Sequence, residues 1–463
     1  MKKAPHSTTL IKAIRPCQRI LGGSLFDVIS GYLSPVDEKG RYLHWNDICN
    51  KTDNEEKRRA IWSLINLARE HARRPIQGLS AVLGTGSGTV PLLMILPGMQ
   101  KTCSLIDRRC TRAALAELTQ EVSASTQFLH MFAHDEGIAS SQLEGASTTR
   151  TVAKQMLEEK REPRSEDEQM ILGNHRLMQL TWESRHEDMT LPLLLQFHAT
   201  ACKGIDDDKY SPGALRDDDS VYVAGRDDEI IHVPPSATLL PELLGSFVNW
   251  INIQHEENVK PSHYIHPVIK ACIMHFSLGY IHPFFDGNGR VARALCYWQL
   301  FRHGYELFKY VSISKLLKAA PIQYGEAYLK TETDHLDVTY FVDYQCRIFE
   351  RAVNETLEHV RESSLKLREF NSWLFNHGFL SRLSDIQRVI FNEIIIDPES
   401  RFLVSDFSQK AGISESAARQ NLEKLFEAGL LLKSGGGGSK PVVYTPKKSL
   451  DKIKQVLIEM NKK

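Results

Sequence analysis

His282-Pro-Phe284-Phe-Asp286-Gly287-Asn288-Gly289-Arg290-Val-Ala-Arg293 is the stretch from which the rest of the chain can be read. Gly287 and Gly289 free the backbone to curl, so successive N–H groups can converge on an anion. A helix is expected to begin near Arg290, and its N-terminus adds a partial positive charge at the same place. Arg290 and Arg293 are three apart and so neighbours on the first helical turns. Two planar guanidinium forks can grip several phosphate oxygens. Asp286 is a hard oxygen ligand suited to Mg²⁺, which travels on nucleotide phosphates. Asn288 can donate an amide hydrogen to a phosphoryl oxygen. His282 has the ordinary pKa of a general base near neutrality. The stretch reads as a loop for phosphate chemistry with a base at its edge.

Outward from that loop the chain is dominated by helical patterning. Apolar residues recur at i, i+3, i+4 over 112–133, 166–185, 191–203, 237–255, 267–280, 290–303 and 339–369. Upstream, 55–73 is expected to be an amphipathic helix within an N-terminal helical extension spanning 1–110. The run 84–89 (GTGSGT) reads as a flexible loop; no Lys-Ser/Thr follows it, so it does not read as a phosphate loop. One segment departs from the helical rule. Val221-Tyr222-Val223, a polar turn, and Ile230-Ile231-His-Val233 read as an isolated β-hairpin whose edge can accept an extended peptide.

Beyond residue 371 the pattern changes. Helices are expected at 384–396, from 404, and at 416–428, with Gly412-Ile-Ser414 as the tight turn between the last two. Two strands around the glycine run 435–438 complete a winged helix-turn-helix over 380–446. Residues 447–463, with six Lys and two acids, read as a basic tail. The candidate recognition helix sets Arg419 and Lys424 against Glu415, Glu423 and Glu427. DNA binding needs several basic groups, so a protein-contact or self-association role is preferred, and DNA binding by a winged-helix regulator is kept as the alternative.

Composition narrows the classes. The chain has 463 residues, 42% hydrophobic and 25% charged, with Lys plus Arg and Asp plus Glu balanced at 57 each. That balance points to no polyanionic partner. Eight cysteines contain no Cys-x-x-Cys pair and read as reduced, buried thiols. His263, His266, His275 and His282 lack the further ligands that would complete a zinc set. No apolar run approaches the length of a membrane span, and no signal-peptide pattern is evident, so a cytoplasmic location is expected.

The segment 282–293 resembles, at all eight specified positions, the motif H-x-F-x-[DE]-G-N-G-R-x-x-R of the Fic family. The resemblance extends over about 115–369, and the whole chain is similar to bacterial Fic proteins with a C-terminal winged helix. It implies a mainly α fold, a Fic-type helical core at 111–375 with a β-hairpin flap. It also implies transfer of AMP from ATP, with Mg²⁺, to a Ser, Thr or Tyr hydroxyl of a protein target, with a secondary Fic core or another nucleotide donor kept as the alternative. His282 would then be the base and Asp286 the Mg²⁺ ligand. Asn288 and the amides of Gly287 and Gly289 would cradle the α-phosphate, with Arg290 on the phosphate chain and Arg293 on the γ-phosphate. Phe284 would anchor the loop, Tyr324 would contact the nucleobase, and Val221, Tyr222, Val223 and Ile231 would align the target. Arg216 is read as an ion-pair partner that pins this flap. The chain itself as target, and a homodimer, are left open.

Ser140-x-x-x-Glu144-Gly145 resembles the family's inhibitory motif, [ST]-x-x-x-E-[GN]. Ser140 and Glu144 share a helix face, and Gly145 suits the left-handed position that ends a helix. A carboxylate reaching Arg293 would occupy the guanidinium meant for the γ-phosphate. The same Glu144 could hold a water for removing AMP, so the dominant direction is left open.

Overall fold

The helical periods become helices with identifiable ends. The computed structural model describes residues 1, 3–5, 17–22, 34–84, 88–121, 133–205, 210–224, 229–256, 259–436, 442–447 and 450–461. The expected helix over 112–133 is described as Arg112–Glu121, and the rest of it up to residue 132 lies outside those residues, as do 225–228 at the hairpin turn. The fold is mainly α, with two two-stranded sheets and one three-stranded sheet among the described residues. The chain divides into two units. One comprises Met1–Arg112, Asp135–Met156 and Glu162–Val353; the other comprises Ala113–His134, Leu157–Arg161 and Asn354–Lys463.

In the first unit, α1 (Glu55–Glu70) starts at Asn54, whose side chain accepts from the Lys57 N–H. A short sheet pairs β1 (Arg74–Pro75) with β2 (Leu92–Leu93). Then comes α2 (Pro97–Arg109), a helix hidden in sequence behind the apolar run that ends at Leu96. The segment expected to be a separate N-terminal extension belongs to the same unit as the loop 282–293. A buried polar network explains this. Arg69 is fully buried and donates to the carbonyls of Pro35 and Leu43 and to the Tyr340 hydroxyl. Asp337 accepts from the Tyr42 hydroxyl at 2.7 Å and pairs with Arg73 at 3.3 Å. Such groups are costly to leave unpaired, so they bind the early residues to the start of the long helix that follows Asp337.

The helices that carry the loop come next: α3 (Asp135–Leu143), α4 (Glu166–Glu183), α5 (Leu191–Cys202), α6 (Leu240–Asn252), α7 (Pro267–Ile281), α8 (Asn288–Arg302), α9 (Ile313–Ala319), α10 (Pro321–Thr333) and α11 (Thr339–Asn376). Between α5 and α6 the hairpin pairs β3 (Val223–Ala224) with β4 (Ile230–His232), antiparallel and with an irregularity at Val223/Ala224. Helices α7 and α8 are buried on nearly every face, as expected of helices at the centre of a helical protein. Pro267 opens α7, and the His266 ring caps it by accepting from the Val268 N–H.

The second unit has its own core. Helix α12 (Asp385–Ile396) opens with a reciprocal capping box between Ser384 and Gln387. Strand β5 (Phe402–Leu403), too short to be seen in sequence, leads into α13 (Val404–Ala411). Gly412 then takes a left-handed conformation, φ 65°, and Ser414 caps α14 (Glu415–Glu427). Strands β6 (Leu431–Ser434) and β7 (Val443–Pro446) pair, and β5 joins on the other side of β7. The basic tail is corrected in part: 450–461 is a helix, α15 (Leu450–Asn461), with Ile453 and Leu457 buried in the core beside Phe370, Phe391 and Tyr444. The lysines of this segment mask an apolar face at helical spacing.

Leu457→Ala is expected to destabilise the second unit by about 2–4 kcal/mol, whereas Lys452→Ala, at an exposed position, should change it by less than about 0.5 kcal/mol. Urea unfolding of both variants checks this; equal midpoints would show that α15 does not belong to the core.

Candidate active site

The loop 282–287 joins the two buried helices, and its shape rests on two left-handed residues. His282 ends α7 with φ 49°, its N–H still donating to the Leu278 carbonyl at 2.9 Å. Gly287 precedes α8 with φ 79°; a Cβ there would lie 3.2 Å from both the Arg290 guanidinium and the Cys202 sulfur. Phe284 is fully buried and stacks on the His198 ring, centroids 3.8 Å apart and 6° from parallel.

Asn288 and Arg290 face inward. The Asn288 side chain accepts from the Phe284 N–H at 3.0 Å and donates to the Phe284 carbonyl at 2.8 Å. Both ends of its amide thus close the loop on itself. Arg290 is 1% exposed and donates to the Ala201 carbonyl at 3.0 Å, with the Cys202 sulfur at 3.7 Å. It ties the loop to the end of α5.

Arg293 points toward Ser140 and Glu144. Its Nε donates to the Ser140 hydroxyl at 2.9 Å, and one terminal nitrogen donates to the Ser140 carbonyl at 3.1 Å and to Glu144 Oε1 at 2.7 Å. The arginine is 1% exposed, and the carboxylate side chain is 25% exposed. Burial pushes the Glu144 carboxyl up, but Arg293 outweighs it and the net direction is down. Gly289 makes the approach possible, because a Cβ there would sit 2.3 Å from Glu144 Oε1. The carboxylate thus lies over the first turn of α8, where helix N–H groups favour negative charge.

Helix α3 is held in that position by its other end. The buried Glu136 carboxylate accepts from the Ser312 hydroxyl at 2.8 Å and from the Ser314 N–H at 3.0 Å, at the start of α9. Gly137 lets α3 cross α4 closely, with a Cβ position 3.2 Å from His175. Gly145 follows with φ 106° and ends the segment.

His282 is the group whose protonation is best defined. Its Nδ1 lies 3.1 Å from the Gly279 carbonyl, which only accepts, so Nδ1 carries the hydrogen and Nε2 keeps its lone pair. Burial lowers its pKa to about 4, against the opposing pull of the Gly279 carbonyl. His198, missed in the sequence, has a similarly defined tautomer. Gly213 N–H donates to its Nδ1 at 3.0 Å, and its Nε2 donates to the Asp286 carbonyl at 3.0 Å. Burial lowers it too, to about 4. Its one sequence signal was a polar residue on the apolar face made by Leu194, Phe197 and Ala201.

Arg216 does more than pin the flap. It pairs with Asp219 at 3.3 Å, and its Nε donates to the carbonyl of His282 at 2.9 Å. It also donates to the Pro235 carbonyl. Within the hairpin, Val223 pairs with His232, while Val221 and Tyr222 precede the strand. Ile230 and Val233 are 59% and 69% exposed and Ile231 is half-buried. By exposure, the outward apolar positions are Tyr222, Ile230 and Val233 more than Ile231. Tyr324 hydrogen-bonds His275 Nε2 at 2.8 Å and lies close enough to Arg293 to be affected by its charge. The structure brings it to the arginine end of the site.

Asp286 is half-buried, and its Oδ1 accepts from the Gly287 N–H. Among the described residues no group of three or more His, Cys, Asp or Glu could hold a metal ion. One partly exposed carboxylate fits Mg²⁺ that arrives on a nucleotide's phosphates, and does not fit a metal caged by protein. The histidines at 263, 266, 275 and 282 form no such group.

Known proteins share this arrangement of sequence. Residues 188–300 match the Fic/DOC family. Protein adenylyltransferase Fic of Drosophila yakuba is 36% identical over 118 residues, which is 26% of this chain and 21% of that protein. The Drosophila virilis protein of the same name matches to the same extent. The chain thus spans about a fifth of the length of these curated relatives. A Fic family protein from Desulfovibrio desulfuricans G20 aligns with 77% of this chain and 98% of its own, at 20% identity and a TM-score of 0.45. A fragment of Fic-1 from C. elegans aligns with 55% of this chain and 72% of its own, at 21% identity and a TM-score of 0.40. No helix among the described residues is long and apolar enough to cross a membrane. The matched residues 188–300 include His282, Asp286 and both loop arginines, so it is this part of the chain that is similar to the Fic/DOC family.

Proposed function

We propose that this chain transfers AMP from ATP to a hydroxyl side chain of a protein and that Glu144 holds the reaction in check. The observation that carries this reading is the Glu144 carboxylate 2.7 Å from buried Arg293, over Gly289 at the start of α8. A side-chain anion occupies an anion site built from a helix N-terminus and a guanidinium. The family match and the adenylyltransferase relatives support the same chemistry.

In the productive state Arg293 would exchange the carboxylate for the γ-phosphate, and the first N–H groups of α8 would face the phosphates. Asp286 would hold Mg²⁺, which supplies charge neutralisation on the phosphate chain. The target hydroxyl would give its proton to His282 Nε2 as its oxygen bonds to the α-phosphorus. The bond to the bridging oxygen breaks, and pyrophosphate leaves with the electron pair. Asn288, Arg290 and His198 keep the loop in shape without touching the donor, so most of the rate would come from positioning and charge. Tyr222, Ile230 and Val233 on the flap would receive an extended target segment by strand addition. The second unit is read as a winged helix for protein contact or self-association. Glu423 of its helix α14 is engaged by Lys433 and by the Tyr444 hydroxyl, which leaves that face without a basic footprint.

Glu144→Gly should raise AMP incorporation from α-³²P ATP by about tenfold or more, equivalent to ~1.4 kcal/mol of relieved competition at Arg293. Unchanged incorporation would sink the inhibitory role. In that background His282→Ala should lower the rate about 10²–10⁴-fold with the unfolding midpoint retained. A pH profile provides a further check. The neutral imidazole is the base, and its pKa is lowered to about 4, so activity should persist through pH 6 and fall only as pH approaches 4. A limb centred near the ordinary histidine value would contradict a buried, neutral His282.

A further inference from the structure

His232 closes strand β4 with its ring turned inward, 9% exposed. Its Nδ1 is 2.7 Å from Glu332 Oε2 on α10, and its Nε2 is 2.8 Å from the carbonyl of Tyr280 in the last turn of α7. A peptide carbonyl only accepts, and so does an ionised carboxylate. A neutral imidazole has one N–H and could serve one of them. With both contacts made, the ring carries two hydrogens and a positive charge. The place suits a cation, since the C-terminal end of α7 is the negative end of its helix dipole. The pairing of β3 with β4 involves only two residues on β3, and a two-stranded hairpin is marginal by itself. The flap therefore depends on what holds it down.

We propose that His232 is a positioning residue, an imidazolium latch that fixes strand β4 between the end of α7 and Glu332 so that the flap holds a target segment opposite His282. The consequence for catalysis rests on the AMP-transfer reading, but the latch itself does not. The charged and titratable groups that face His232 are Glu332 from α10, Tyr280 and His282 from α7, and Arg216 from the segment before the flap. Burial and Arg216 work against the charge; Glu332 and the Tyr280 carbonyl outweigh them, and the net direction of the His232 pKa is up. A raised histidine pKa means that the latch is intact at low pH and is lost as pH rises through the folded value. The same charge disfavours a proton on His282, so the latch also helps to keep the base neutral.

Two variants of the full chain test this: Glu332→Gln, which keeps shape and removes charge, and His232→Phe, which removes both bonds. Ring-¹⁵N-histidine spectra at pH 7.5 should show one imidazole with both nitrogens protonated, absent in His232→Phe and shifted to a neutral pattern in Glu332→Gln. A neutral His232 in the unaltered chain would overturn the proposal, whether or not the chain transfers AMP. Hydrogen exchange of the flap peptide should be at least several-fold faster in His232→Phe, with α7 and α8 unchanged. Unchanged flap exchange would also overturn it. In the Glu144→Gly background, AMP incorporation into the proteins that form labels should fall about tenfold for His232→Phe at saturating ATP, with the KM for ATP unchanged. Its alkaline limb should move to lower pH in Glu332→Gln. An equal loss traced to a higher KM for ATP would refute the positioning role. Absence of transfer from every form would refute the AMP-transfer reading and leave the spectra and exchange to decide the latch.

Discussion

The buried guanidinium of Arg293 is the constraint around which the first unit is organised. It lies on the first turns of a helix buried on nearly every face, and its charge must be met by partners brought to it. Ser140 of α3 and Glu144 just beyond its end do this, 149 to 153 residues earlier in the chain. To remain there, α3 needs the Glu136 bonds to the start of α9 and the close crossing with α4 at Gly137. Removing the carboxylate with nothing in its place would leave a buried charge uncompensated, at a cost on the order of 3–5 kcal/mol. Under the proposed AMP-transfer reading, a nucleotide phosphate would meet the same demand, so the charge that holds Glu144 would favour donor binding once Glu144 withdrew.

The parts of the site that were legible are those whose chemistry is carried by contiguous residues. The spacing from His282 to Arg293 predicts a glycine-containing turn into a helix N-terminus, and the chain makes that turn at Gly287 and starts the helix at Asn288. The approach of Glu144 to Arg293 follows from the resemblance of Ser140-x-x-x-Glu144-Gly145 to the inhibitory motif, although the helix ends at Leu143, one residue before Glu144. The inward roles of Asn288 and Arg290 were not legible. Their partners are main-chain atoms of Phe284 and Ala201, and which way a side chain turns from a tight loop depends on the fold around it. His198 was hidden for the same reason. In the fold, α15 was missed because lysines obscure its apolar positions, and β5 because a two-residue strand has no pattern to read. The N-terminal segment looked separable because Arg69, Tyr42 and Asp337 are polar residues whose pairing is invisible until the chain is folded.

The histidines around the loop show how position assigns protonation. His198, His275 and His282 are all pushed down by burial, to about 4, about 3 and about 4. His232, equally enclosed, is pushed up, because a carboxylate and a carbonyl both face it. Four rings of one residue type thus divide into three neutral groups and one cation. For His282 this division matters directly. A base must be unprotonated before it acts and must accept a proton in the transition state. Burial and the nearby imidazolium favour the first condition and oppose the second. The Gly279 carbonyl on Nδ1 and the Glu144 carboxylate favour the protonated ring, but under the proposed reading Glu144 would withdraw when a nucleotide took Arg293. Phosphate charge would then have to replace it. Donor binding would therefore raise the proton affinity of His282 at the moment the target hydroxyl needs a base, so that nucleotide and base are coupled through the charge that Arg293 holds in place.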